Sequence, residues 1–285
     1  MTVTTLTPWE KVQIARHPQR PHTSEYIRGL CDDFVELHGD RRFGDDYALI
    51  GGLACFAGQT VMVLGHQKGA DTRENLRRNF GMPRPEGYRK AQRLFKHAEK
   101  FALPVLCFID TPGADPSMSS EERGQANAIA ESILTMAQLR VPIIATLIGE
   151  GGSGGAVALG VADRLLMLEH AVYSTASPEG SAAILWRDSS KAPDAARVMK
   201  ITAQDQLAFG IADGVIAEPE GGAHTDAATM VARVGVAIEQ ALHELCALPI
   251  DVLLAQRYTK YRAIGAMQQT HPARTDDPIA PLVFP

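Results

Sequence analysis

The chain has 285 residues, a hydrophobic content of 45% and a formal net charge of −5 at pH 7. This length and composition predict a folded protein with a substantial core and argue against a collagen-like, disordered or disulfide-scaffold protein. The acidic balance argues against nucleic-acid binding, and no run approaches the roughly 18 uninterrupted apolar residues of a membrane-spanning helix.

Cysteine usage and the amino-terminal sequence bear on metal sites and location. The four cysteines are far apart and form no C-x-x-C pair: Cys31, Cys55, Cys107 and Cys246. Neighbouring cysteines therefore cannot build a zinc ribbon or a redox pair, and we expect no metal site. The amino-terminal sequence lacks the basic and apolar regions of a signal peptide. We expect a cytoplasmic protein.

The first third of the chain predicts two helices and a β-hairpin. Residues 1–8 are expected to form a flexible end, and residues 9–16 a short helix that prolines stop. Residues 25–38 carry apolar side chains at near-helical spacing and predict an amphipathic helix. Two strand-like runs, 48–57 and 60–66, are separated by a Gly-Gln pair and predict a hairpin.

A basic segment follows the hairpin. Residues 68–100 hold ten lysines or arginines and four acids, on two helical patterns that a Gly-Met-Pro sequence separates. Several of these cations can hold a phosphorylated or anionic ligand through charge-assisted hydrogen bonds, although a solvated face or a subunit contact is the commoner role. The candidates are Arg73, Arg77, Arg78, Arg84, Arg89, Lys90 and Arg93. For His66, Gln67 and Lys68, a polar turn and a functional group are equally good interpretations.

Strand, glycine-containing turn and helix follow one another three times. The turns contain Gly65, Gly113 and the run 149–155, and helices at 121–139 and from residue 156 follow the last two. This alternation predicts an α/β protein with a parallel sheet, in which the three turns lie together at the carboxyl ends of the strands. Ligands bind at that edge of such sheets, so the third turn is a predicted site.

The third turn contains Gly-Gly-Ser-Gly-Gly at residues 151–155. Because glycine has no Cβ, the backbone can approach a ligand closely, and the unpaired N–H groups of the following helix face the same space. Such a turn attracts anions or developing negative charge. One interpretation is an oxyanion hole formed by the N–H groups of Gly154 and Gly155. A tight packing turn is the structural alternative, although packing rarely needs four glycines.

Two further enzymatic interpretations compete for the same turn. Residues 149–154 match the dinucleotide fingerprint G-x-G-x-x-G, with Glu169 as the ribose-binding acid, although the acid comes early and the helix is short. Residues 151–155 match the nucleophile elbow G-x-S-x-G, and Asp213 and His224 follow in the order of a catalytic triad.

The remaining periodic segments complete the predicted α/β pattern. The predicted strands are 104–109, 141–148, 164–169, 172–176 and 214–217. The predicted helices are 177–186, 191–200, 203–209, 226–248 and 252–264. Residues 270–285, with four prolines, are expected to form a flexible tail.

Several motifs, some of them long, resemble one known family and follow one another in that family's order. They are ARHPQRP (15–21), GHQKG (65–69), RRNFGMPRPEGYRKA (77–91), FIDTPGA (108–114), EERGQ (121–125), IGEGGSGGA (148–156), SPEG (177–180), ILW (184–186) and EPEGGAH (218–224). They closely resemble the carboxyltransferase alpha subunits of bacterial multisubunit acetyl-CoA carboxylase. The resemblance runs from about Trp9 to His224 and more loosely to Gly265.

This resemblance implies a crotonase-like (ClpP/crotonase) α/β fold of repeated strand-helix turns over residues 9–265. It implies an enzyme that transfers a carboxyl group from carboxybiotin, on the biotin carboxyl carrier protein, to acetyl-CoA. The product, malonyl-CoA, serves fatty acid biosynthesis, and no covalently bound cofactor is expected. The implied partners are a zinc-ribbon beta subunit in an α2β2 assembly, the carrier protein and biotin carboxylase, without membrane or nucleic acid. The missing C-x-x-C agrees with the alpha role.

The resemblance also implies the site. The N–H groups of Gly154 and Gly155 would hold the ureido oxygen of biotin while negative charge builds on it. The residues implied to bind substrate are Gly113, Ala114, Gly151, Gly152, Arg77, Arg78 and Arg89. The loop 115–119 departs from many relatives, which have an aromatic residue and glycines there, so its shape is left open.

Three other functions remain alternatives. A serine hydrolase would use Ser153 as its nucleophile, activated by His224. A CoA hydratase or isomerase on the same fold would need acids near the glycine turn, and the candidates are Glu150 and Glu179. For Glu179, at a predicted helix start, complementing the helix dipole is an equally good interpretation. A non-catalytic interaction subunit would need none of these groups.

Overall fold

A computed structural model of the chain describes residues 6–265. Its strands are β1 (Cys31–Glu36), β2 (Leu49–Phe56), β3 (Gln59–His66), β4 (Val105–Thr111), β5 (Ile143–Gly152), β6 (Arg164–Leu168), β7 (Val172–Ser174) and β8 (Gly214–Ile216). The predicted tail at 270–285 and most of the predicted flexible amino end lie outside the described residues.

The described helices mostly follow the predicted ones. They are α1 (Pro8–Ala15), α2 (Thr23–Leu30), α3 (Thr72–Arg77), α4 (Pro85–Lys100), α5 (Met118–Glu122), α6 (Gln125–Gln138), α7 (Ser153–Val157), α8 (Pro178–Trp186), α9 (Ala192–Val198), α10 (Ala203–Ala208), α11 (Ala227–Cys246) and α12 (Ile250–Ala263). Within residues 6–265, no helix is long and apolar enough to cross a membrane.

The strands form one mixed sheet in the order β1-β2-β3-β4-β5-β6-β8, and β7 pairs with the end of β5. The predicted hairpin is confirmed, because β2 and β3 pair antiparallel from Leu49 opposite His66 to Phe56 opposite Gln59. From β3 onward, the neighbouring strands run parallel. Every residue of β4 and β5 is buried, which requires cover on both faces of the sheet and explains their nearly continuous apolar sequence.

One predicted helix is wrong over half its length. The helix predicted at 25–38 ends at Leu30, and the chain continues as β1, an edge strand paired with β2. Its register shifts between Asp32 and Val35, and Asp33 has a φ of 53°, so the strand contains a bulge. The backbone hydrogen bonds offered by β2 outweigh the helical spacing of the side chains, a tertiary effect that local pattern does not contain.

The helix predicted at 121–139 is divided. Gly124 has a φ of 82°, a left-handed conformation that separates α5 from α6. Glycine adopts this conformation without the Cβ clash that restricts other residues, so the break falls where the sequence permits it. Its effect is to set α6 on its own axis, where it packs against α4.

Two buried arginines connect distant parts of the chain. Arg20 donates from Nη1 and Nη2 to Glu218 at 2.8 and 2.5 Å and from Nε to the carbonyl of Ile148 at 2.5 Å. Arg257 donates to both carboxylate oxygens of Asp163 at 2.8 and 2.7 Å. Each guanidinium is almost fully buried and paired with a buried acid, so each fixes a terminal segment against the sheet.

Candidate functional site

The three predicted turns lie side by side. Gly65 of β3 is opposite Phe108 of β4, and Thr111 of β4 is opposite Gly151 of β5. The parallel strands therefore end at one edge of the sheet, as the alternation of strand, turn and helix predicts. This edge carries the glycine turn, defined here as residues 151–155.

The helix after the glycine turn begins earlier than predicted. Strand β5 continues through Gly152, and α7 starts at Ser153 rather than at residue 156. Ser153 is exposed and has a φ of 49°, a left-handed conformation that is uncommon for a residue with a side chain. Gly154 is half-buried and Gly155 is buried, so the turn passes from solvent into the protein within three residues.

Close backbone packing explains two of the glycines. A Cβ on Gly152 would lie 2.1 Å from the carbonyl oxygen of Pro112, and one on Gly155 would lie 2.6 Å from the carbonyl carbon of Gly113. A Cβ on Gly154 would meet only the side chain of Ile129, at 3.5 Å. The turn after β4 is thus pressed against the turn after β5, which requires glycine at 152 and 155 but not at 154.

The backbone donors at this contact are unused. Within residues 6–265, no acceptor is assigned to the N–H groups of Gly154, Gly155 or Ala114. Those of Gly154 and Gly155 belong to the first turn of α7, where a helix offers no internal acceptor. Unsatisfied N–H groups at a half-exposed position can stabilise a partial negative charge on a bound oxygen. Gly151 differs, because it lies within the ladder opposite Thr111 and Tyr173.

The structure does not assemble the catalytic triad. Asp213 accepts hydrogen bonds from Lys260 and from the N–H of Leu165. His224 stacks on His17 with ring centroids 3.7 Å apart, and its Nδ1 is buried without a hydrogen-bond partner among the described residues. Ser153 has the strained backbone of a nucleophile elbow, but neither its predicted base nor its predicted acid hydrogen-bonds to it. The hydrolase interpretation therefore has no support in this geometry.

The acid required by the dinucleotide interpretation, Glu169, is engaged elsewhere. Glu169 Oε2 accepts a hydrogen bond from the N–H of Glu218 at 3.1 Å. The carboxylate therefore caps the segment that follows β8, and it is not presented to a ligand at the glycine turn.

The two acids proposed for a hydratase are both paired with Arg16. Its Nε donates to Glu150 at 2.6 Å, and its Nη1 donates to Glu179 at 2.5 Å. Burial would raise the pKa of Glu179, but the hydrogen bond and charge of Arg16 outweigh it and hold the pKa below its ordinary value. An ionised carboxylate bound to arginine is a poor general acid, so this arrangement favours a positioning role.

Lys68 and Asp110 extend the ion pairs of Arg16 into a larger network through Glu150. Lys68 Nζ lies 2.6 Å from Asp110 Oδ1 and 3.3 Å from Glu150 Oε2. Sequence reasoning missed Arg16, Lys68 and Asp110 as members of one cluster. All three lie inside the motifs ARHPQRP, GHQKG and FIDTPGA, which was the available signal, but Arg16 is 134 residues from its partner Glu150, so no local pattern pairs them.

His66 lies behind the glycine turn at the end of β3. Its ring is fully buried beside the backbone of Gly155 and Phe108, and neither ring nitrogen has a hydrogen-bond partner among the described residues. Burial lowers the pKa of His66 to about 4, so the imidazole is neutral near pH 7.

The predicted substrate-binding arginines differ in their availability. Arg89 is engaged with Asp40, Glu86 and the carbonyl of Arg123, at 2.9 to 3.0 Å. Arg78 donates to Glu74 and to the carbonyl of Tyr47. Arg77 is exposed, lies 4.1 Å above the ring of Tyr47 and makes no ion pair within residues 6–265. Arg77 is therefore the most available of the three for an anionic ligand.

The loop at 115–119 is fixed by short hydrogen bonds. Asp115 Oδ2 accepts from Ser117 at 2.7 Å and from Ser120 at 2.6 Å, and its N–H donates to Pro83 at 3.0 Å. The loop thereby ties the turn at Gly113 to the start of α4.

An apolar cavity of about 770 Å³ adjoins the glycine turn. Ser153 and Gly154 line one side, and apolar side chains that include Met199, Ile201 and Phe209 line the others. The half-buried Gly154 thus lies beside a space that can accept an uncharged, largely apolar group.

Comparison with known proteins gives a consistent result. A family model described as acetyl co-enzyme A carboxylase carboxyltransferase-like matches residues 1–265. The acetyl-coenzyme A carboxylase carboxyl transferase subunit alpha of Listeria welshimeri is 54% identical over 263 residues, which cover 92% of this chain and 83% of that protein.

Solved structures share the fold. Transcarboxylase 12S, solved with methylmalonyl-coenzyme A and methylmalonic acid bound, superposes with a TM-score of 0.66 at 18% identity. The match covers 84% of this chain but only 45% of the transcarboxylase chain. A chain of a Pseudomonas malonate decarboxylase hetero-tetramer in complex with coenzyme A gives a TM-score of 0.63 at 20% identity, over 76% of this chain and 86% of that one. With the mixed sheet, these likenesses confirm the predicted crotonase-like α/β fold.

Proposed function

Because this chain belongs to the family of acetyl-CoA carboxylase carboxyltransferase alpha subunits and is thus a carboxyl-group transferase of fatty acid biosynthesis, we propose that its glycine turn is the oxyanion hole of that reaction. The observation that supports this proposal most directly is the pair of unused N–H donors at Gly154 and Gly155, on a turn that excludes a side chain at 155. The substrates are carboxybiotin, presented by the biotin carboxyl carrier protein, and acetyl-CoA.

The chemistry of carboxybiotin explains why such donors are needed. When the N–CO2 bond breaks, its electron pair moves into the ureido group, and negative charge develops on the ureido oxygen. Donors at Gly154 and Gly155 stabilise that charge, and removal of one oxyanion-hole donor costs about 3 to 4 kcal/mol in other enzymes. The resulting biotin enolate takes a proton from the acetyl methyl group, and the carbanion attacks CO2. No side-chain base is required, which agrees with Glu150 and Glu179 being held by Arg16.

The surroundings of the donors fit the two substrates differently. The apolar cavity beside Gly154 suits the uncharged rings of biotin. The phosphates of coenzyme A need cations instead, and the exposed Arg77 meets that need better than the engaged Arg89.

A partner subunit completes the enzyme. The family name designates an alpha subunit, and the malonate decarboxylase neighbour is a hetero-tetramer. We propose the finer assignment, an α2β2 assembly with a zinc-ribbon beta subunit that acts with biotin carboxylase and the carrier protein. Since the transferred group ends on an acyl thioester, which also develops negative charge, the beta subunit supplies the second set of donors.

Paired substitutions at the glycine turn test the proposal. In the assembled complex, Ser153→Ala keeps every backbone donor and is expected to change kcat for malonyl-CoA formation by less than about threefold, whereas Gly155→Ala forces a Cβ against Gly113 and is expected to lower kcat by about a hundredfold or more. Size-exclusion chromatography of both variants with the beta subunit controls for assembly. A Ser153→Ala complex that assembles normally but is the less active of the two would refute the proposal.

A further inference from the structure

Asp110 is the centre of the ion network beneath the glycine turn. Its Oδ1 accepts from Lys68 Nζ at 2.6 Å and from the N–H of Glu150 at 3.0 Å, and its Oδ2 lies 3.3 Å from His22 Nδ1. The side chain of Asp110 is 2% exposed. A buried carboxylate at the end of β4 thus holds the backbone of β5 directly.

Strand β5 lies on this carboxylate without intervening atoms. A Cβ on Gly149 would lie 2.4 Å from Asp110 Oδ1, so Gly149 lets the backbone reach it. The next residue, Glu150, donates its N–H to Asp110 and receives Lys68 on its side chain. Only two residues separate Glu150 from Ser153, so a displacement of Glu150 is transmitted through the extended backbone to the donors of α7.

Within residues 6–265, Lys68 is one of only two cations, with Arg16, that offset the three carboxylates of the network, Asp110, Glu150 and Glu179. Asp110 and Glu150 are two carboxylates that share Lys68, while Arg16 is divided between Glu150 and Glu179. Without Lys68, Asp110 would keep only His22 as a side-chain partner among the described residues. Two mostly buried carboxylates would then repel each other beside the place where a bound oxygen becomes negative.

We propose that Lys68 is a positioning residue for carboxyl transfer. It holds the ends of β4 and β5 together through Asp110 and Glu150, and it thereby fixes the orientation of the N–H groups of Gly154 and Gly155. This inference rests on the proposed function, because it assigns a task to the glycine turn. Lys68 itself contacts no substrate in this assignment.

The ionisation states agree with the geometry. Burial would raise the pKa of Asp110, but the charge of Lys68 and the hydrogen bond with His22 hold that pKa well below its ordinary value. Burial would lower the pKa of Lys68, but Asp110 and Glu150 raise it above its ordinary value. The pair therefore stays ionised through the neutral pH range.

Three variants of the assembled complex separate positioning from simple stability. Lys68→Met is expected to lower kcat by about a hundredfold, the cost of a small misplacement of catalytic groups, with the KM for acetyl-CoA nearly unchanged. Lys68→Arg keeps the charge and is expected to retain kcat within about tenfold. Lys68→Met combined with Asp110→Asn removes both charges, and we expect it to be at least about fivefold faster than Lys68→Met, since contacting residues couple non-additively.

A matched control lies at the other end of β5. Arg257→Met also breaks a buried ion pair, with Asp163, but does so far from the glycine turn. It is expected to lower the Tm without lowering kcat. If Lys68→Met and Arg257→Met lower the Tm equally and both leave kcat within about threefold of the parent complex, Lys68 is merely structural and the inference fails.

Hydrogen exchange gives a readout that does not depend on activity. In the full chain without substrate, Lys68→Met is expected to speed amide exchange at least about tenfold in peptides covering residues 149–157, because Asp110, which accepts the N–H of Glu150, is no longer held in place by Lys68. Lys68→Arg is expected to restore protection. Unchanged exchange in these peptides overturns the positioning role. If the parent complex transfers no carboxyl group, the proposed function fails, whereas the exchange result still decides whether Lys68 positions the turn.

Discussion

The two ends of strand β5 are built from the same kinds of group and behave differently. At the amino end, Arg257 uses all its donors, on Asp163 and on the carbonyls of Met136, Leu139 and Val141. At the carboxyl end, Lys68 and Arg16 share one acceptor, Glu150, and 32% of the Arg16 side chain is exposed.

This difference separates stability from function along one strand. A saturated, buried cluster fixes position and has no group left for a ligand. A cluster with shared acceptors, beside glycines and unused N–H donors, can transmit small changes in charge to the groups next to it. The comparison predicts that substitutions at the amino end act on folding and those at the carboxyl end on turnover.

The largest expected effect concerns the amino end. Arg257→Met leaves Asp163 buried and unpaired and removes donors from three carbonyls, so we expect the free energy of unfolding to fall by about 3 to 5 kcal/mol. Urea unfolding at pH 7 measures this loss, and kcat of the assembled complex is expected to stay within about twofold. A loss below about 1 kcal/mol would show that the amino end is not the stabilising one.

The second prediction concerns His66, at the carboxyl edge. Burial lowers its folded-state pKa to about 4, below the unfolded value near 6.5, so the unfolded chain binds more protons between these two pH values. Its contribution to stability is complete above pH 6.5 and is lost as the pH falls toward 4. The loss approaches about 3 kcal/mol at the acid limit.

Urea unfolding between pH 4 and pH 7 tests this dependence. The His66→Gln variant is expected to show a flatter curve over this range, and the exposed His97→Gln serves as the control. Parallel curves for the parent chain and His66→Gln would mean that His66 is protonated equally in both states.

The smallest expected effect is that of a substitution at Gly154, within the glycine turn. Gly154 has room for a Cβ and lacks a positive φ, so Gly154→Ala is expected to keep both donors and to change kcat by less than about threefold. The substitution also restricts the unfolded chain and is expected to raise the free energy of unfolding by about 0.4 to 1 kcal/mol. Steady-state kinetics and urea unfolding measure the two effects. A hundredfold loss of kcat would show that a Cβ at position 154 meets the substrate or displaces the donors, and that glycine is required there as well.

The sequence predicts the alternation of strands and helices because that pattern is local. The hairpin, the buried strands β4 and β5 and the meeting of three turns all follow from apolar runs and glycine positions. Strand β1 could not be predicted in this way, since its side chains have helical spacing and its pairing with β2 is a tertiary contact.

The candidate site likewise contains a part that the local sequence predicts and a part that depends on tertiary contacts. The glycine turn is visible in the sequence because its geometry requires glycine itself, at Gly152 and Gly155. The ion network is not visible, because Arg16 and Glu150 are 134 residues apart and no local pattern pairs them. The arginines of the basic segment show that closeness in sequence does not predict a shared role. Arg89 makes structural contacts, whereas Arg77 is exposed.

The pairing of Arg20 with Glu218 also sets the order of events during synthesis. These residues are 198 positions apart, so the amino-terminal segment emerges from the ribosome long before its buried acid exists. At 5 to 20 residues per second, the wait is roughly 10 to 40 s. During that time Arg20 lacks its buried partner, and we expect the contacts of α1, Arg16 and His22 with β4 and β5 to stay incomplete. We therefore expect this early segment to be among the last to reach its place. The nascent chain exposes the edge of the candidate site to chaperones until Glu218, which follows β8, has been translated.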